Sequence, residues 1–115
     1  MNQLGTYHGR HFTTYVEEVK QLIRQGELVA AERLLLELVE ATEAEASSEG
    51  LGVAPWYFHE LAKIYRRRKE YGAECSILER YANNPHAPGV MPEKLASRLE
   101  MARELLKLFK THTSI

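Results

Sequence analysis

Apolar residues recur along most of this chain at three- and four-residue intervals, and alternation of the kind a half-buried strand shows is absent over any sustained stretch. Phe12, Tyr15, Val16, Val19, Leu22 and Ile23 mark one face of a first predicted helix, which begins at Phe12 and ends at Gly26. Thr14 and Glu17 have the spacing of a capping box at its start. A second helix is predicted from Glu27 to Ala46, with Leu28, Ala31, Leu34, Leu35, Leu38 and Ala41 inward. Glu37, Glu40, Glu43 and Glu45 face outward. The stretch SSEGLGVAP then breaks the pattern. Pro55 suits the first position of a third helix, over 55–69, because the missing N–H has no partner to lose there. Tyr57, Phe58, Leu61, Ile64 and Tyr65 are its buried side.

A turn near Lys69–Gly72 leads to a fourth helix over 72–83, with Cys75, Ile77, Leu78, Tyr81 and Ala82 inward. NNPHAPGVMP reads as a loop. Pro92 opens a fifth helix to about Lys110, with Leu95, Leu99, Ala102, Leu105, Leu106 and Phe109 on its seam. Residues 1–11 read as a lead-in arm and 111–115 as a frayed tail. The expected unit is one all-α domain over 12–110, with strands unexpected.

Composition sharpens this picture. All 16 acids are glutamate, a helix former, and the lack of aspartate removes any Asp-based triad or calcium loop. Fifteen lysines and arginines leave a formal charge of -1, which argues against general capture of nucleic acid. A single cysteine, Cys75, forms no internal disulfide, and no apolar run approaches the length of a membrane span. A cytoplasmic setting is expected.

Short connections make helices one and two, and three and four, antiparallel hairpins over 12–46 and 55–83. At these positions the chain resembles tetratricopeptide repeats. Tyr15, Leu22, Gly26, Leu28, Ala31, Leu35 and Leu38 fall on that motif in the first hairpin. Phe58, Leu61, Ala62, Tyr65, Tyr71 and Leu78 do so in the second, where LAKIY…KEY is the nearest match. The hairpins are offset by 43 residues, from Leu28 to Tyr71, where the family has 34, and Glu74 stands where a small alanine belongs. The resemblance implies a short right-handed stacked array, with the helix over 92–110 as its cap. A fainter resemblance is to helical modules at the ends of larger bacterial proteins, some of them DNA-associated.

The candidate chemistry lies in APWYFHELAKIYRRRKEY. His59, Lys63 and Arg67 share a helix face at i, i+4 and i+8, with Arg66 on its shoulder. Lys20 and Arg24 repeat the i, i+4 spacing in the first helix, and the resemblance turns both stripes towards one inner groove. Two basic stripes with Trp56 nearby would take a carboxylate-bearing peptide or protein segment, the guanidinium and ammonium groups holding acids and the indole giving apolar area. The plainer alternative is a solvated charged face. A homodimer covering an exposed edge is a further alternative.

Other residue sets carry less. HELAK lacks the second histidine of a zinc helix, and His8, His11, His86 and His112 read as incidental, so no metal or cofactor is expected. Cys75 reads as a buried thiol rather than a nucleophile. The glutamates of the second helix read as solvated surface. Gly50, Gly52, Gly72 and Gly89 are too scattered to cradle phosphate. No catalytic residue is expected.

Overall fold

The computed structural model describes residues 4–113, and side chains as far as residue 110. Five helices make up the body: α1 (Val16–Arg24), α2 (Leu28–Glu49), α3 (Pro55–Arg67), α4 (Tyr71–Ala82) and α5 (Met91–Thr113). The all-α expectation holds in that the protein is mostly helical.

Two differences appear at the N-terminus. The expected lead-in arm is instead a small antiparallel hairpin, β1 (Thr6–Tyr7) paired with β2 (Arg10–His11). His8 and Gly9 form its two-residue turn with φ of 50° and 77°, the positive values such a turn needs to match strand twist. Two-residue strands are too short to leave an alternating signature. The hairpin is fastened to the helices: the Tyr15 hydroxyl donates to the Tyr7 carbonyl at 2.6 Å, and His11 Nε2 lies 2.6 Å from Glu45 Oε2 on α2. The buried Tyr57 hydroxyl reaches back to the Phe12 carbonyl at 3.0 Å, and burial pushes its pKa up to about 12.

The second difference is the start of α1. The anticipated Thr14–Glu17 capping box does not form. Phe12–Tyr15 is a 3-10 turn, and Thr14 donates its hydroxyl to the His11 carbonyl at 2.8 Å. His11, already fixed by the hairpin, caps that turn by accepting from the Thr13 N–H. Helix α1 follows from Val16 and ends before Gly26, as the pattern requires.

Helix α2 runs three residues past the expected Ala46, and α5 extends through Thr113, where a frayed tail was expected from residue 111. Residues 114 and 115 lie outside the described residues. Pro55 occupies the first turn of α3. Helix α2 packs on α1 and α3, α3 on α4 and α5, and α4 on α5. The core runs through these contacts, with Phe58, Leu35, Leu38, Leu61, Leu78 and Leu95 fully buried. The two long connections are joined: the Val53 N–H donates to the Pro85 carbonyl at 3.0 Å, and Gly52 lies so close to His86 and Ala87 that a Cβ would run into their backbone.

Candidate functional site

Helix α3 positions most of the candidate residues. Its apolar side (Tyr57, Phe58, Leu61, Ala62, Ile64 and Tyr65) is buried, which rotates Trp56, His59, Lys63 and Arg67 to the opposite side. Trp56 is half-buried and meets the Tyr57 ring edge-on at 5.0 Å between centroids. Lys63 is exposed and pairs with Glu60 at 2.6 Å. Arg67 is exposed, and with Lys63 it lines a small cleft completed by Ile23, Leu28, Glu60 and Ile64. Helix α1 therefore reaches the basic stripe through an apolar residue, Ile23. Lys20 and Arg24 are exposed on α1, and their polar contacts stay there: Lys20 lies 3.9 Å from Glu17, and Arg24 donates to the Gln21 side chain at 2.9 Å.

On its other side the stripe meets α5. His59 is half-buried, and its pKa is held below the ordinary histidine value by burial and then by Lys63, Arg98 and Lys94, with Glu60 opposing. Lys94 and Arg98 are one helical turn apart on α5, so both project towards α3. Neither was singled out from the sequence, although their i, i+4 spacing repeats that of Lys63 and Arg67.

Arg66 turns inward. Its Nε donates to Glu74 Oε1 at 3.0 Å, its Nη2 lies 2.8 Å from Glu74 Oε2, and the same Nη2 donates to the Arg98 carbonyl at 3.3 Å. Arg98 Nε approaches Glu74 Oε2 to 3.0 Å, but the two are not aligned for a hydrogen bond, so this contact is ionic. Glu74 has no exposed surface. The glutamate that departs from the small residue of the repeat motif is thus the anchor of two arginines, one from α3 and one from α5. A carboxylate taken out of water is tolerable only with partners of this kind.

One carboxylate between two guanidiniums leaves the node positive. Burial and then the adjacent Arg66 pull the Arg98 pKa below its usual value, with Glu74 and Glu60 opposing. Lys63 pairs with Glu60, Arg66 and Arg98 share Glu74, and Arg67 and Lys94 hold no ion pair among the described residues.

The remaining candidates occupy quieter positions. Cys75 is buried, and burial followed by Glu79 and Glu74 pushes its thiol pKa up, away from nucleophilic character. His11 is engaged by Glu45, and His86 Nε2 lies 2.7 Å from the Tyr81 carbonyl. The His112 side chain lies outside the described residues. Among the described residues, no group of three metal-ligating side chains converges, and no helix is long and apolar enough to cross a membrane. The chain matches no family model, no curated protein and no solved structure.

Proposed function

We propose that this protein is a non-catalytic interaction module, tetratricopeptide-like in arrangement, that binds a peptide or protein segment carrying acidic groups on the basic face of α3. The observation that carries this reading is the gathering of Lys63, Lys94 and Arg98 around His59, with Arg67 on the same α3 face. Like charges held together by the fold repel one another, and a ligand carboxylate relieves that repulsion. The buried Glu74 fixes two of the arginines, so the surface is set before a partner arrives. Lys63, Arg67 and Lys94 then take carboxylates, while Trp56 and Ile23 offer apolar area at the margins. Lys20 and Arg24 extend the positive surface along α1, and His59 senses the charge around it.

The test is Lys63→Glu with Arg67→Glu, titrated with a fluorescent glutamate-rich peptide at low salt. Binding that weakens at least tenfold, with the helical circular-dichroism signal intact, is the expected result. Unchanged affinity in the double variant refutes the reading.

A further inference from the structure

The basic face continues into an apolar one along α5. Lys94, Arg98, Met101, Leu105 and Leu108 follow one another at intervals of four, three, four and three residues, the spacing of a helix side that packs lengthwise on another helix. Helices α3 and α5 run in the same direction, since His59 is near Lys94 and Arg66 reaches the Arg98 carbonyl. Helix α3 therefore lies beside this row at Lys94 and Arg98, leaving Lys94 exposed. It ends at Arg67, while α5 continues to Thr113. Past that point the row is uncovered: Met101 is 54% exposed and Leu108 56%, with Leu105 half-buried between them. Large apolar side chains grouped this way on one helix face are a place where another chain packs.

We propose, building on the acidic-ligand reading above, that the occupant is an amphipathic helix of a partner protein, acidic at one end and apolar at the other, laid along α5. Its carboxylates meet Lys94, Lys63 and Arg67, and its apolar residues cover Met101, Leu105 and Leu108. The row from Lys94 to Leu108 spans 14 residues, about 21 Å of helix, so four turns of partner helix cover it. Charge selects this occupant over a second copy of the chain paired in parallel, which brings Lys94 and Arg98 against their own counterparts. A second copy paired antiparallel about Leu105 sets Glu104 opposite Leu106, and the mass measurement below decides for or against it.

Two synthetic 18-residue helical peptides test this, each made with its acidic half at either end. The first carries glutamates in one half and leucines at three- and four-residue spacing in the other; the second has glutamine in place of the leucines. With the full chain, fluorescence anisotropy is expected to give at least tenfold tighter binding for the leucine peptide. Met101→Gln with Leu108→Gln removes that advantage and leaves the affinity for the glutamine peptide unchanged. Equal affinity for the two peptides overturns the proposal, as does an advantage that survives in the Met101→Gln, Leu108→Gln protein. A two-chain mass by light scattering that falls to one chain in the same variant also overturns it, in favour of self-association. Binding of neither peptide removes the acidic-ligand reading as well, so the two failures are distinguishable.

Discussion

Glu74 of α4 and Arg98 of α5 hold Oε2 and Nε 3.0 Å apart, at a carboxylate with no exposed surface, and Arg66 of α3 closes on it from the other side. Three helices are thus joined at one buried anion. Replacing Glu74 by Gln leaves two guanidiniums facing each other without a counter-charge. Removing one partner from a buried ionic group costs about 3–5 kcal/mol, a large share of the stability of a domain this size. Urea denaturation of Glu74→Gln is expected to show a loss of that order. Replacing the whole group, Arg66→Met, Glu74→Leu and Arg98→Met, is expected to recover most of it, because no unpaired charge then remains. A Glu74→Gln protein as stable as the parent contradicts the structural role.

His59 reports on the same surface. Burial and the cations Lys63, Arg98 and Lys94 all disfavour its protonated form, so its NMR titration midpoint is expected below the ordinary 6.5. Because the folded value is depressed, this group's contribution to stability is present above 6.5 and is lost as the pH falls through the lower folded value. Lys94→Ala should move the midpoint upward, and so should a bound acidic peptide. A midpoint that responds to neither separates His59 from the proposed binding face.

Two carboxylates are expected to contribute to the acid limb. At Glu43 and Glu32 burial alone raises the pKa, but hydrogen bonds from Arg80 and Asn84 to Glu43, and from Arg68 and Tyr65 to Glu32, outweigh it. Both end below the ordinary carboxylate value of 4.5. Arg80 grips Glu43 through two bonds, of 2.9 and 2.6 Å. Depressed carboxylates stabilise the fold above 4.5, and that stability is lost as the pH falls through their folded values. Thermal melts of the parent should therefore fall in midpoint between pH 5 and 3. Glu43→Gln and Glu32→Gln should each start lower at pH 7 and decline less steeply. An equal slope in parent and variants removes these pairs as the cause.

The helices of this protein are largely readable from sequence because their determinants are local. The 3.6-residue spacing of Phe58, Leu61, Ile64 and Tyr65, with Pro55 ahead of it, locates α3 and its outward basic side without knowledge of any other element. The small hairpin is not readable, since two-residue strands are stabilised by Tyr15 and Glu45 from elsewhere in the chain. Glu74 is illegible for a related reason. A glutamate on an inward face reads as a defect of the repeat pattern until Arg66, eight residues earlier, and Arg98, 24 residues later, are seen to reach it. The same tertiary contact explains the candidate site: the i, i+4 rule finds Lys63 and Arg67 on one helix, but the approach of α5 brings in Lys94 and Arg98.

The contact of Gly52 with the backbone of His86 and Ala87 gives the two glycine- and proline-rich stretches an unexpected standing. They look like spacers, the parts of a chain most open to lengthening or trimming. Yet each is the other's packing partner, and a methyl group at Gly52 already has nowhere to go. A residue added to or removed from either connection would shift this contact, so a change in one segment is felt by the other.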